Sequence, residues 1–340
     1  MTELRIGILG SGYMGRTHAE CLTKHVSRAR LVAIAGGSRA SKLAADYGVE
    51  FEPSQAALFA RPDLDAVLIA TPHDDHAAQT IAAAQSGLHI LVEKPMATST
   101  SACTAMIQAC QSANVQLEVI QTQRFRGAHA QTRALINSGA IGQVRMLQGR
   151  SLFTDYVVGT SPWAGEDKHG GAFLDTGVHF FDLMRFLTGC EPETIYSTVT
   201  TFGGVPYAGL NAMTQLTFTE GVLGQHWMSY QMPKPGVANS EHRMLIVGES
   251  GMIDVDAYGK VQLGRDGDWT TVWEQPPIDY VNRPLDPVRL EAFFSQTQAF
   301  VDDVLDQRAA TVSGAEGRMA VAMVEAALQS SATGAPVQLL

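Results

Sequence analysis

The residue types and spacings best suited to chemistry in this 340-residue chain lie in Gly170-Gly171-Ala172-Phe173-Leu174-Asp175-Thr176-Gly177-Val178-His179-Phe180-Phe181-Asp182. A helix from Leu174 onward sets Asp175 and His179, four residues apart, on one face. Imidazole is the side chain that titrates nearest neutrality, so His179 is suited to take a hydroxyl proton as a general base and return it as a general acid. Asp175 can orient that ring or hold a neighbouring hydroxyl. In isolation, a D-x-x-x-H pair reads more readily as a buried histidine tied to a helix carboxylate. Metal ligation by Asp175 and His179 with His169, or with the pair His73 and His76, lacks a compact ligand set, so no metal is expected.

A second group is Glu93-Lys94-Pro95, which closes the apolar run Ile90-Leu91-Val92. Pro95 lacks a backbone donor and has a fixed φ, so the strand ends there. A lysine at the carboxyl end of a strand faces the crevice where open parallel sheets hold ligands. An ammonium in that crevice can stabilise an alkoxide, which suits hydride transfer at a hydroxyl-bearing carbon.

The glycine turn Gly10-Ser11-Gly12-Tyr13-Met14-Gly15 names the ligand class. In G-x-G-x-x-G one glycine permits the turn, the next lets backbone approach a pyrophosphate, and the third lets helix pack on strand. Here the strand Leu4 to Leu9 precedes it and a helix from Tyr13 follows, so Gly10, Gly12, Tyr13, Met14 and Gly15 are expected to carry the diphosphate of a dinucleotide. Binders of NAD usually place a carboxylate after the second strand to hold the ribose 2'-hydroxyl. This chain has Gly36-Gly37-Ser38-Arg39 instead. Ser38 and Arg39 can bond a 2'-phosphate, so NADP is the favoured cofactor and NAD the alternative. A plain helix start, with Ser38 as N-cap and Arg39 merely exposed, is the competing structural reading.

These groups need elements to position them. Up to about residue 122, short apolar runs (Leu4 to Leu9, Leu31 to Ala35, Ala66 to Ala70, His89 to Val92, Gln116 to Ile120) alternate with helical stretches, as in a doubly wound parallel sheet. Residues 123–340 change texture: period-two runs from Val144 to Trp273, separated by turns, predict a large, mostly antiparallel open sheet with a few helices on one face. Helical patterns return at about 288–332 and are expected at the junction of the two domains. The fold class is α/β, with a dinucleotide-binding Rossmann domain at 1–122 and a substrate and oligomerisation domain at 123–340.

Composition narrows the partners. With 45% hydrophobic and 17% charged residues the chain is globular, and a net charge of −10 without a basic run argues against a nucleic-acid surface or a polybasic membrane patch. Cys21, Cys103, Cys110 and Cys190 are too sparse for a disulfide framework and form no C-x-x-C. With no leader or membrane-length apolar stretch recognised, a cytoplasmic enzyme with a small-molecule substrate is expected.

Taken in order, the motifs resemble the glucose-fructose oxidoreductase and inositol dehydrogenase family, the Gfo/Idh/MocA oxidoreductases. The likeness extends to Thr71-Pro72-His73-Asp74-Asp75-His76, to Gln123-Arg124-Phe125 and to the Ser330-Ala332-Gly334 ending. It implies that Lys94, Asp175 and His179 form the catalytic group, that Thr71, Pro72, His73, His76 and Glu93 line the cofactor site, and that the C-terminal sheet builds a homodimer or homotetramer. Relatives often carry Trp-Arg where this chain has Trp163-Ala164, and asparagine where it has His73. The substrate is then a sugar, polyol or related cyclic hydroxy compound, contacted by candidates Gln123, Arg124, Tyr156, Trp163 and His169. Each has a structural counter-reading; Arg124, for instance, can pair with a carboxylate. Two other readings stay open: a redox-neutral glycoside hydrolase or lyase with tightly bound NAD(P), and a non-catalytic dinucleotide sensor.

Overall fold

The computed structural model describes residues 3–154, 165–237, 242–279 and 282–339. From the N-terminus run β1 (Leu4–Leu9), α1 (Tyr13–Lys24), β2 (Ala29–Ala35), α2 (Ala40–Tyr47), β3 (Glu50–Glu52), α3 (Gln55–Phe59), β4 (Ala66–Ile69), α4 (His76–Gln85), β5 (His89–Val92), α5 (Thr100–Ala113) and β6 (Leu117–Val119). Next come α6 (Gly127–Asn137), β7 (Val144–Leu152), α7 (Gly171–Thr188), β8 (Pro192–Thr200), β9 (Asn211–Phe218), β10 (Leu223–Ser229), β11 (His242–Gly248), β12 (Met252–Asp256), β13 (Lys260–Arg265) and β14 (Asp268–Glu274). The described chain closes with α8 (Pro287–Leu305), α9 (Gly314–Thr333) and β15 (Val337–Gln338). It divides into two compact units, residues 1–125 with 278–318 and residues 126–277 with 319–340.

In the first unit six strands lie in the order β3-β2-β1-β4-β5-β6, all paired in parallel. That order is the doubly wound arrangement whose crevice lies at the strands' carboxyl ends. β4 is buried along its whole length, and so is β5 after His89, as expected of strands covered on both faces. The edge strand β3 was not anticipated. Its Glu50-Phe51-Glu52 carries charges at both ends, a pattern that blunts an edge but hides a strand from a hydrophobicity reading.

α8 packs with the first unit. Phe300 and Val301 are fully buried in one core with Ile6, Ile8, Leu31 and Ile34, so Ile278–Arg318 belongs to the first unit. Gln296 fixes the attachment: its amide donates to the Val119 carbonyl at 2.9 Å, and its own oxygen accepts the Gln121 N–H at 2.9 Å.

The second unit holds a nine-stranded sheet, β14-β13-β12-β11-β7-β10-β9-β8-β15, in which β7 and β10 pair in parallel and the other neighbours antiparallel. α7 covers one face. Gly149 on β7 is what lets it lie close, because a Cβ there would stand 2.8 Å from the Phe180 ring. The opposite face leaves Met146, Met213, Leu223 and Trp227 exposed. α6 also went unread in the sequence, since it opens on Gly127 and lacks a long apolar stripe. No helix among the described residues is long and apolar enough to cross a membrane.

Candidate active site

In the first unit the expected cofactor residues gather at the carboxyl ends of β1, β2, β4 and β5. Gly10 follows β1 at φ +124°, and a Cβ there would collide with the Ala70 carbonyl, so the turn presses against the end of β4. At Gly15 a Cβ would collide with the Gly10 carbonyl, which is the close helix-to-strand approach the third glycine permits. At Gly12 it would meet only Arg39 Nη2, 3.8 Å away. This opening in front of α1, whose first-turn N–H groups have no intrahelical acceptor, is a cradle a side chain would fill and suits a diphosphate.

Ser38 and Arg39 are exposed in the turn after β2. Arg39 occupies the N-cap of α2 without a side-chain capping bond, so Ser38 is not the helix cap. Tyr13 is exposed beside the cradle, with the buried Arg289 guanidinium 4.8 Å from its ring centre. Met14 is half-buried on the same helix turn.

Behind the Glu93-Lys94-Pro95 turn stand two buried imidazoles. His18 on α1 donates through Nε2 to Glu93 Oε1 at 2.8 Å, while Glu93 Oε2 accepts the Lys94 backbone N–H at 3.1 Å. Burial alone would raise the Glu93 carboxyl. The hydrogen bond from His18, with the charges of His18, Lys94 and His76, outweighs burial and holds it below the usual carboxylate range. His76 is fully buried, with Nδ1 2.9 Å from the Pro95 carbonyl and Nε2 2.9 Å from the Thr71 carbonyl. Burial pushes its pKa down, against the pull of those carbonyls.

The polar atoms of Glu93 and His76 bond His18 and the backbone, and so brace the turn from within. Thr71 donates to Gln79 Oε1 at 2.5 Å, and His73 lies buried with its ring 6.0 Å from that of His76. Beyond β6, Gln123 is buried and Arg124 is ion-paired with Glu316 at the start of α9, the carboxylate pairing foreseen as its structural alternative.

In the second unit Asp175 and His179 lie one turn apart on α7. The helix residues around them, Gly171 to Leu174, Thr176 to Val178 and Phe180 to Arg185, are buried, whereas these two keep part of their surface open. Gly170 (φ +93°) and Gly171 (φ +73°) turn the chain into the helix, and His169 precedes them in a short 3-10 turn. Tyr156 and Trp163 lie outside the described residues. No cluster of His, Cys, Asp and Glu among the described residues suits a metal.

His18 went unread as a functional candidate. Its signal was available: a histidine in the helix behind a glycine turn, in a fold that brings that helix beside the strand ending in Glu93.

Comparison with known proteins identifies the family. Residues 4–121 match the family described as "Oxidoreductase family, NAD-binding Rossmann fold", and residues 129–254 match the GFO/IDH/MocA C-terminal domain. Inositol 2-dehydrogenase of Rhizobium meliloti is 26% identical over 97% of this chain and 97% of its own length. scyllo-Inositol 2-dehydrogenase (NAD(+)) of Bacillus subtilis is 26% identical over 99% of this chain and 96% of its own. An oxidoreductase from Agrobacterium radiobacter, solved in complex with NAD+, L-tartaric acid and magnesium, superposes with a TM-score of 0.87 at 25% identity, covering 99% of this chain and 98% of that one. The chain belongs to the Gfo/Idh/MocA family of oxidoreductases with an NAD-binding Rossmann fold.

Proposed function

We propose that this protein is a dehydrogenase or reductase that moves hydride between a nicotinamide and a hydroxyl or carbonyl carbon of a sugar, polyol or related cyclic hydroxy compound. The observation that carries the reading is the pair Asp175 and His179, the polar side chains left open along an otherwise buried stretch of α7. The names of the inositol dehydrogenases above support a cyclic polyol. When bound, the dinucleotide supplies the hydride acceptor or donor. His179 takes the proton of the substrate hydroxyl, or returns it in reduction, and Asp175 orients the imidazole. Lys94 stabilises the oxyanion through its ammonium.

Gly10, Gly12, Tyr13, Met14 and Gly15 hold the diphosphate, with Thr71, Pro72 and His73 beside the ring-bearing half. Gln123 and His169 are assigned to the substrate. NADP is placed ahead of NAD because the turn Gly36-Gly37-Ser38-Arg39 presents a hydroxyl and a guanidinium and no carboxylate. Kinetic constants with both cofactors decide this, and a strong preference for NAD overturns it.

Assembly as a homodimer or homotetramer is assigned to the open face of the nine-stranded sheet, where a groove of about 760 Å³ is lined by Met146, Tyr196, Leu216, Leu223 and Val247 among others. Four buried, free cysteines support a reducing compartment, the cytoplasm.

The decisive test is Lys94→Ala. Turnover should fall by about 10²-fold or more while the cofactor dissociation constant stays within a few-fold. Retained turnover removes Lys94 from the chemistry.

A further inference from the structure

Within the second unit a guanidinium is buried without a countercharge among the described residues. Arg126, at the N-cap of α6, is 7% exposed. Its Nη2 donates to the Tyr258 hydroxyl at 3.0 Å, and its guanidinium carbon stands 4.2 Å from the centre of the same ring. Its Nε is buried with no acceptor, and no carboxylate among the described residues lies within ion-pair distance. A phenol and a ring face offset part of the cost of burying this cation, but a buried charge ordinarily requires a partner of opposite sign.

The N-terminus of α6 adds positive potential. Arg126 precedes the first turn of α6, which carries no acidic residue, and His129 is buried in that turn. The His242 imidazole is pushed down to about 3 by burial, with Arg126, His129 and His226 acting in the same direction. The cluster also touches the helix that bears the proposed acid/base pair. The His242 ring stacks 5.6 Å from Phe180, next in sequence to His179, and lies 4.8 Å from Phe153. Phe153 in turn stacks on Tyr230, whose hydroxyl bonds Thr176, next to Asp175.

We propose that Arg126 is the anchor of an anion subsite and that the substrate is a hydroxy compound bearing a carboxylate, a sugar acid. A carboxylate fits better than a phosphate ester. One guanidinium balances a single negative charge, and its planar fork matches two carboxylate oxygens. The inference rests on the oxidoreductase reading for the word substrate, but the subsite itself does not.

The test uses the full-length protein loaded with its dinucleotide. Binding is measured by thermal shift and titration calorimetry for D-gluconate against D-glucitol, D-glucuronate against D-glucose, and D-glucose 6-phosphate. The acid of at least one pair should bind about 10-fold or more tighter than its neutral partner, the factor a charge-assisted pair supplies. Arg126→Gln should bring that ratio to about one, and Arg126→Lys, which keeps charge without the fork, should leave an intermediate ratio. Equal binding of acids and neutral compounds, tighter binding of the phosphate ester, or a ratio unchanged in Arg126→Gln overturns the proposal. These readouts need no turnover. An absence of turnover on every compound, with the binding ratio intact, defeats the oxidoreductase reading and spares the subsite.

Discussion

Replacing Glu118 with glutamine should make the protein more stable at pH 8 and leave it unchanged at pH 4. Glu118 sits on β6 with no exposed surface, and its carboxyl is pushed up to about 7. Burial is the main cause. The neighbouring Asp303 carboxylate adds to it, while hydrogen bonds from Gln116 and the Val312 N–H oppose it. Asp303 accepts the Thr311 N–H at 2.9 Å and pairs with Arg308 at 3.1 Å.

A glutamate in the unfolded chain titrates near 4.5. Between that value and about 7 the folded state holds a proton that the unfolded state has lost, so stability falls as pH rises through this window. A gap of roughly 2.5 units corresponds to about 3 kcal/mol, fully present below pH 4 and gone above pH 8. Glutamine donates to Asp303 as the protonated acid does and can accept from Gln116, but it does not titrate. Urea unfolding at half-unit steps from pH 4 to 8 should show the wild type losing about 3 kcal/mol relative to Glu118→Gln. A difference between the two proteins that stays flat across that range refutes the buried acid pair. Because β6 runs directly into the Gln123-Arg124 turn, hydrogen exchange there should quicken in the wild type over the same pH window.

Three further outcomes follow from the described contacts. His226, fully buried between Ser151 and the Phe180 ring, has its imidazole pushed down to about 3 by burial, so stability is lost as pH falls through 6.5 toward 3. His226→Phe, which keeps the stacking, should move the acid unfolding midpoint downward; an unmoved midpoint excludes that histidine as the acid trigger. His18→Leu leaves the Glu93 carboxylate buried without its partner and should cost about 3–5 kcal/mol in chemical denaturation, with the double variant His18→Leu/Glu93→Leu recovering a large part of it. Equal losses in single and double variants would show that the pair is not coupled. Met213→Glu with Trp227→Glu, on the open sheet face, should reduce the mass seen by light scattering to that of one chain, and a wild type already monomeric removes the assembly proposal.

What could be read from the sequence was what neighbouring residues decide among themselves. The glycine turn is legible because Gly10 and Gly15 each answer a clash within or beside the same βα unit and Gly12 leaves room for a ligand, and the run ending at Glu93-Lys94-Pro95 is legible because proline stops a strand wherever the chain goes next. Asp175 and His179 share a face because helical spacing requires it. Side-chain direction at a strand end is a different kind of fact. Whether Glu93 looks toward a cofactor or toward His18 depends on a helix 75 residues earlier, and Arg124 finds its carboxylate 192 residues later in Glu316. The placement of α8 has the same origin: its amphipathic stripe announces a helix, but only tertiary packing decides that Phe300 and Val301 complete the core of the first unit. Arg126 shows the limit most clearly. Three residues before His129, it reads in the sequence as an ordinary surface arginine, and the meaning of its charge appears only when Tyr258 buries it and no carboxylate follows. Its buried charge is therefore the structural feature from which the substrate's own charge can be argued.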